Sequence, residues 1–474
     1  MLFPTIDFGL FFAFALWLVW SLNSRNLLKK WVLLALSLAF YASWDWRFLL
    51  LLFASGAISY LVGLRVGQEA GARRPWRKAV LALGIALDLG ILGYFKYLDF
   101  FIAQALTLAH AFGLNPPLEF VSVTLPVAIS FLTFHAISYI VDVYRGRLRA
   151  SRSPLDILLY ISFFPHLVAG PIVRAHEFLP QLASPRRAED FGLSENMLLI
   201  LGGLFKKMVI ANYLAVQFVD PVFTDPTQVS RFDLVMAVYA YAIQIYADFS
   251  AYTDIAIGVA ALLGYRFPQN FNQPYRALGP GDFWRRWHMT LSTWLRDYLY
   301  IPLGGNRHGA LMTVRNLMLT MVLGGLWHGA NWTFLIWGTL HGVALVVDHA
   351  YRHSAFCARF GRTRPAMALD WFVTLQLVCV GWLFFRSPSL DVATQYLAGI
   401  WTDNGAASTM PGVVWPLLAA GVFTHIIPPD SRLRLGEWLD ARGLSAQIGF
   451  GAVAMYVIIV MAPSASAPFI YFQF

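Results

Sequence analysis

Apolar residues run through this chain in long stretches separated by short polar segments, and twelve stretches stand out. They lie near 5–21, 31–44, 48–64, 79–99, 121–143, 196–219, 233–263, 311–327, 331–349, 370–386, 411–427 and 447–463. About 20 mostly apolar residues cross a bilayer as a helix, because each residue rises roughly 1.5 Å. The pattern therefore predicts an all-α polytopic membrane protein of about 11–12 transmembrane helices.

The intervening loops sort by charge. Arg25, Lys29 and Lys30 follow the first stretch; Arg65, Arg73, Arg74, Arg77 and Lys78 follow the third; Arg145, Arg147, Arg149 and Arg152 follow the fifth. Arg266, Arg276, Arg285, Arg286, Arg296 and Arg307 follow the seventh, and Arg352, Arg359, Arg362 and Arg364 the ninth. Loops after even-numbered stretches are neutral or acidic, as with Asp220, Asp225, Asp391 and Asp403. Because Lys and Arg collect on the cytoplasmic side, the alternation predicts an N-terminus outside and basic loops in the cytoplasm.

Two segments break the pattern. Residues 155–174 hold ISFFPHLVAGPIVR, apolar but punctuated by Pro165, Gly170 and Pro171. Residues 283–305, FWRRWHMTLSTWLRDYLYIPLGG, are amphipathic and aromatic, yet flanked on both sides by basic, cytoplasmic loops. Irregular backbone at membrane depth survives only where protein or a water-filled cavity covers it. Both segments are expected to be re-entrant or interfacial. No repeat and no low-complexity linker divides the chain, so 1–474 is expected to be one integral-membrane domain.

Composition agrees. Hydrophobic residues make up 58% and charged residues 13%, against about 25% charged in soluble domains. The excess of 35 Lys and Arg over 26 Asp and Glu is accounted for by loop bias, without nucleic acid. Phe3 to Trp20 lacks a basic n-region and a cleavage motif and reads as a first span. Cys357 and Cys379 form no C-x-x-C pair, so neither a disulfide framework nor a cysteine metal site is expected.

Candidate chemistry centres on histidine. His328 lies in GGLWHGANW, on the short link between the stretches 311–327 and 331–349. Ionisable residues at that depth are costly and mark function, and neutral imidazole is the usual general base near neutral pH. Gly325 and Gly329 are expected to keep the surrounding backbone open to substrate. A histidine that braces a bend is the alternative. His288, 40 positions earlier between Trp287 and Met289, would polarise a carbonyl or orient substrate, or else sit in an aromatic belt with Trp284, Trp287 and Trp294.

Arg285, Arg286, Arg296 and Arg307 suit the phosphates of coenzyme A, though charge bias alone also explains them. Asp248 and Asp254, in YADFSAYTDIAIG, call for a cationic partner such as an arginine from 266–307; an ion pair and a proton relay both remain open. His135 and His166 are further intramembrane candidates, and Lys206 and Lys207 are expected to snorkel to the interface. H-E-x-x-H, G-x-S-x-G and P-loop motifs are absent, and no metal site is expected.

RFPQNFNQPYRALGPGDFWRRWHMTLSTWLRDYLYIPLGGNR, followed by LGGLWHGANWTFLIWGTLHG, resembles the membrane-bound O-acyltransferase family, in its bacterial alginate O-acetylase-like branch. SFFPHLVAGPIVR, YADFSAYTDIAIG and the terminal APFIYFQF carry the same resemblance. It implies a helix bundle around a central tunnel, re-entrant segments, and two functional positions about 40 residues apart. These fall on His328 as catalytic residue and His288 as its assistant, with the histidine hairpin at 311–349. Trp287, Arg285, Arg286, Arg296, Asp297 and Asn331 become candidates for donor binding; Asp248, Asp254 and His166 remain structural or relay candidates.

The resemblance further implies acetyl transfer from a cytoplasmic donor, acetyl-CoA, to a secreted or cell-surface polysaccharide such as alginate or cellulose. No tightly bound cofactor is implied. The partner implied is a periplasmic SGNH-hydrolase-like acetyltransferase, and the location is the bacterial inner membrane. Rival expectations are D-alanyl or other acyl transfer to an envelope polymer or lipid, a proton-coupled transporter using Asp248, Asp254, His135 and His328, and a mere anchor for a periplasmic enzyme.

Overall fold

The computed structural model describes residues 3–67, 75–114, 116–187, 191–361, 363–403, 405–428, 430–465 and 467–472. Arg73, Arg74, Arg362 and the last two residues of the APFIYFQF tail lie outside the described residues. Helix is the only regular structure among the described residues. Among the described residues eight helical runs are long and apolar enough to cross a membrane, and four apolar helices are shorter: Ile6–Ser21, Leu98–Ala111, Ile129–Tyr144 and Val414–Phe423. Large apolar side chains stay exposed along them, among them Ile6, Leu10 and Trp17 in the first helix and Val453, Tyr456 and Val460 in the last. Apolar faces of that extent need lipid as solvent. This is a multi-pass all-α membrane protein.

The chain packs as two compact units. The first comprises Met1–Phe191 and Val259–Pro268. Its helices are α1 Ile6–Ser21, α2 Asn26–Asp45, α3 Leu49–Gly67, α4 Pro75–Lys96, α5 Leu98–Ala111, α6 Ile129–Tyr144, α7 Pro154–Ser162, α8 Phe164–Leu167 and α9 Ala175–Phe178. Between α2 and α3 one 3-10 turn, Trp46–Phe48, is entered through an extended Asp45 whose carboxylate accepts from Arg47 N at 2.9 Å. Thus the expected spans 31–44 and 48–64 adjoin within one helical run, Asn26–Gly67.

Small residues allow the close packing of α3, α4 and α6. A Cβ on Gly63 would strike the Tyr139 ring, and one on Gly84 would meet Val62 at 3.0 Å and Ile140 at 3.2 Å. Helix α6 is buried on all sides. It begins only at Ile129, after Ala128 at φ +68, so the expected span 121–143 is helical over its last two thirds alone. Pro165 and the Gly170–Pro171 pair break the apolar segment 155–174 into α7, α8 and irregular backbone, nearly all of it buried. Helix α5 lies beyond the expected span 79–99; its apolar character had no polar boundary to set it apart after Lys96.

The second unit comprises Gly192–Gly258 and Gln269–Phe474. It holds α10 Leu193–Phe205, α11 Asn212–Leu214, α12 Asp220–Thr224 and most of α13 Arg231–Leu262. Next come α14 Pro280–Trp284, α15 Met289–Leu295, α16 Ala310–His328, α17 Trp332–Arg352, α18 Ala355–Phe360 and α19 Arg364–Arg386. Last are α20 Leu390–Thr402, α21 Val414–Phe423, α22 Ser431–Asp440 and α23 Leu444–Met461. The α10–α12 run is widened by π-helical turns at Lys206–Ala211 and Ala215–Val219, and α15 continues into a third, Arg296–Tyr300. Such turns recur at functional sites. Helices α20 and α22 were not expected as elements, the latter because Arg432, Arg434, Glu437 and Asp440 give it a loop-like charge density.

Helices α16 and α17 form an antiparallel hairpin packed backbone to backbone. A Cβ on Gly325 would collide with Phe334 O and lie 3.1 Å from Gly338 Cα; one on Gly338 would reach Met321 O at 2.5 Å. A Cβ on Gly329 would overlap the Phe334 ring. These glycines therefore bring two helices together, as small residues do in membranes. This corrects the expectation that Gly325 and Gly329 hold the backbone open to substrate.

Candidate active site

The hairpin decides where His328 sits. Helix α16 ends on it because Gly329 is extended (φ −166, ψ 152), and Asn331 then caps α17, its side-chain oxygen accepting from Thr333 N at 3.0 Å. The His328 ring is 5% exposed. Three rings meet it edge-on: Trp327 at 5.0 Å, Trp337 at 5.0 Å and Phe385 at 5.2 Å, with Tyr471 at 5.6 Å completing the wall.

His288 occupies a different kind of position. It sits at φ +42, ψ +53, the left-handed region, between α14 and α15. That conformation costs a residue other than glycine roughly 1–2 kcal/mol and persists only where the surroundings over-determine it. Asn270 supplies much of that determination. Its main-chain oxygen accepts from Met289 N at 2.9 Å, and its side-chain oxygen accepts from Thr290 N at 3.1 Å and Thr290 Oγ1 at 2.8 Å.

That arrangement also assigns the histidine tautomer. A backbone N–H can only donate, so the Asn270 atom facing Thr290 is its oxygen, and the same oxygen lies 3.2 Å from His288 Nδ1. In neutral imidazole Nδ1 must then carry the hydrogen, leaving the lone pair on Nε2. His288 Nε2 is fully buried and has no hydrogen-bond partner among the described residues. Such a ring accepts a proton or a hydroxyl hydrogen; it cannot polarise a carbonyl, which corrects that part of the expectation from sequence.

The structure brings both histidines against one residue, Trp327. Trp327 lies 5.0 Å from His328 and 6.4 Å from His288. A second path closes the circuit: Phe249 is 4.7 Å from His288 and 4.8 Å from Tyr471, which reaches His328.

Tyr471 comes from the C-terminal tail, and the sequence-selected carboxylate Asp248 anchors that tail. Lys207 pairs with Asp248 at 2.8 Å and donates to Ala467 O at 2.9 Å, while Ile470 N donates to Asp248 Oδ2 at 2.9 Å. Phe469 packs on Tyr252 at 4.1 Å. Asp254 pairs with Lys206 at 2.5 Å, and Lys206 also donates to Ser250 at 2.8 Å. Both carboxylates thus take lysine partners, not arginines from 266–307. The lysines do not snorkel: Lys207 is 1% exposed and held inside the protein.

The remaining candidates are placed less centrally. Trp287 is a packing residue, stacked on Phe283 at 5.7 Å and against Trp382 at 4.8 Å. Arg285 and Arg286 pair with Asp282, Arg296 pairs with Asp297 at 2.7 Å, and no hydrogen bond or ion pair among the described residues joins these arginines to either histidine. The amide nitrogen of Asn331 donates to Pro388 O at 2.8 Å, so that side chain joins two connections. His166 lies in the first unit, its ring 4.5 Å from His135 and its Nε2 donating to Tyr160 O at 2.9 Å. No three His, Cys, Asp or Glu side chains cluster as a metal site requires, among the described residues.

Three participants escaped the sequence reading: Asn270, Tyr471 and His341. His341 is fully buried on α17, 4.8 Å from Trp337. An ionisable residue inside an apolar stretch was the available signal. A cavity of about 490 Å³ also lies in this unit, lined mainly by apolar side chains with Arg276, Tyr275 and His425 among them. Tyr275 links its wall to the aromatic cluster, because its hydroxyl accepts from Trp382 Nε1 at 3.1 Å.

Comparisons with known proteins match this geometry to a family. A model of the membrane-bound O-acyltransferase family matches residues 146–386. The chain is 43% identical to the probable alginate O-acetylase AlgI of Azotobacter vinelandii, over 95% of each chain. It is 39% identical to the peptidoglycan O-acetyltransferase of Helicobacter pylori, covering 80% of this chain and 75% of that one. A teichoic acid D-alanyltransferase of Streptococcus thermophilus matches at 28% identity over 55% of this chain and 68% of its own.

Proposed function

The chain belongs to the membrane-bound O-acyltransferase family, and we propose that it passes an acetyl group from cytoplasmic acetyl-CoA across the bacterial inner membrane for O-acetylation of a secreted or cell-surface polysaccharide. That it is a multi-pass membrane O-acyltransferase follows from the family and its named relatives. The donor, the polymer and the roles of individual residues are our reading.

The observation that carries the reading is that His328 and His288 both pack against Trp327, in a buried aromatic surround. As an acceptor hydroxyl adds to the thioester carbon, His328 takes its proton as general base. His288, with its Nε2 lone pair directed by Asn270, orients the acceptor or shares the proton. Exclusion of water by the aromatic walls strengthens every polar contact inside and suppresses hydrolysis. The cavity beside Tyr275 is of a size for the acyl-bearing arm of the donor. Arg276 at its wall, with Arg285, Arg286 and Arg296, offers phosphate partners on the basic face, which we take as cytoplasmic, with the N-terminus outside.

The acetylated polymer is one of the alginate or cellulose class, and a periplasmic SGNH-hydrolase-like protein completes the transfer. D-alanyl transfer is the second reading, favoured by the D-alanyltransferase match, but the acetylases match at higher identity and over more of the chain. A transporter is disfavoured by Asp248 and Asp254, whose carboxylates are committed to lysines.

The test is complementation of a deletion strain with wild type or His328→Ala at matched membrane abundance, reading base-released acetate and D-alanine from purified surface polymer. Acetate restored by wild type alone supports the reading. Acetate restored by both proteins removes His328 from the chemistry and favours an anchor. Release of D-alanine in place of acetate reassigns the acyl group.

A further inference from the structure

Polar atoms buried without partners mark where a ligand's atoms are to be sought, because burying such groups unsatisfied is costly. In the second unit several collect beside His328. Trp337, whose ring edge meets His328, is 1% exposed, and its Nε1 has no hydrogen-bond partner among the described residues. His341 also packs against that indole, at 4.8 Å, fully buried, and neither of its ring nitrogens has a partner among the described residues. Trp284 Nε1, on a ring 5.2 Å from His341, is in the same condition.

Two of these groups converge. A Cβ built on Gly381 of α19 would lie 3.0 Å from His341 Nε2 and 3.6 Å from Trp337 Nε1. Both nitrogens thus lie beside the bare Cα of Gly381, where any side chain would crowd them, and the lack of one leaves neither N–H screened from that side. Indole N–H donates only, and a neutral imidazole carries one N–H, which nothing in the surroundings keeps from Nε2. The complement of two such donors is an acceptor oxygen.

Helix polarity says which oxygen. His341 lies nine residues beyond Trp332 along α17, toward the end that carries His349 and Arg352, whereas His328 sits beside the helix start. On the topology proposed above, His341 therefore faces the donor's side of the base. We infer that Trp337 Nε1 and His341 Nε2, over Gly381, form a two-donor subsite for the carbonyl oxygen of the acyl thioester. The inference rests on the thioester-donor reading of the preceding section.

The step balances without another reactant. The acceptor oxygen bonds to the carbonyl carbon, the C=O π pair moves onto oxygen between the two N–H groups, and the hydroxyl proton passes to imidazole. Collapse reforms the C=O bond and breaks the C–S bond, and the thiolate leaves and takes up that proton. His288, an acceptor at Nε2, cannot serve this oxygen, so the donors must come from elsewhere. Preorganised N–H groups in a site without water are the recurring solution.

The test uses the full-length protein in nanodiscs and two unreactive donor analogues. One is the ketone in which a methylene replaces the thioester sulfur of acetyl-CoA; the other is S-ethyl coenzyme A, which lacks the carbonyl. Wild type is expected to bind the ketone about 10-fold more tightly, and Trp337→Phe and His341→Leu should each bring that ratio close to 1. His341→Gln, which keeps an N–H donor, should preserve part of it. With acetyl-CoA as substrate, Trp337→Phe should lower kcat by about 10²-fold and raise KM by no more than the roughly 10-fold carbonyl preference that it loses. A packing role would weaken both analogues alike.

A ratio near 1 in wild type, or one unchanged in both Trp337→Phe and His341→Leu, overturns the subsite while leaving the donor reading in place. Wild type that binds neither analogue overturns the donor reading, and the subsite with it.

Discussion

The first unit buries His135 and His166, the second buries four histidines with His288 and His328 among them, and these two pairs differ in what holds them. In the first unit His135 lies in the middle of α6 and His166 on the short helix α8, their rings 4.5 Å apart. Tyr160, Phe163 and Phe267 enclose His166, and one of its nitrogens is committed to a backbone carbonyl. In the second unit His288 sits at a left-handed break and His328 on the last residue of a helix, with Trp327 packed against both. Both pairs are buried, so burial does not distinguish them. The backbone does: a ring on a regular helix is exchangeable for another buried side chain, whereas Asn270 and the glycine-packed hairpin hold single geometries for His288 and His328.

The largest effect should come from the second pair. His328→Ala is expected to lower acetyl transfer by about 10²–10⁴-fold, with unchanged membrane abundance, whereas His135→Phe should leave turnover within a few-fold of wild type. Equal losses in a turnover assay would break the distinction drawn here.

Next is the anchor of the tail. Lys207→Met leaves the Asp248 carboxylate buried without its cation, a change of about 3–5 kcal/mol, and releases Ala467, while Ile470 N keeps its bond to Asp248. Thermal unfolding in detergent should show the loss, and Lys207→Met combined with Asp248→Leu should recover most of it.

Asn270→Ala removes the acceptor that selects the His288 tautomer without touching either histidine. Outer-shell groups of this kind are worth about 10–100-fold. The loss should appear in kcat, and a variant with wild-type kcat would refute the tautomer argument. Gly338→Ala pushes α17 off Met321, and overpacking of that order costs about 1–3 kcal/mol. Tm and turnover should fall together, since His328 rides on the same hairpin. The smallest change belongs to the exposed arginines: Arg296→Gln breaks a surface pair worth about 0–1 kcal/mol, so Tm should hold. A rise in KM for acetyl-CoA would then report donor phosphate binding directly.

Much of this was legible from the chain alone. Every expected span falls on one of the eight long runs or a shorter apolar helix, because a bilayer imposes length and apolarity on each span locally. The two segments punctuated by prolines, glycines and aromatics, 155–174 and 283–305, are broken short helices for the same local reason. His288 and His328 stood out as costly residues at breaks between apolar stretches. The span limits were less legible: 411–427 contains the shorter helix Val414–Phe423, and α5 follows α4 after a single residue.

What the sequence by itself determined is the class of molecule, its succession of apolar helices and the family, since each depends on composition or on residues close in the chain; it also singled out two histidines as candidates. What only the tertiary structure decided is how those residues are held. The lysine partners of Asp248 and Asp254 lie more than 40 positions away, and the tail reaches back from Ala467 to Lys207, a separation of 260 residues. Asn270 assigns a tautomer through one hydrogen bond, and Gly381 lets α19 approach two nitrogens on another helix where a side chain would crowd them. A carboxylate in an apolar helix announces that it needs a cation; only packing, which brings distant turns within 3 Å, chooses which one.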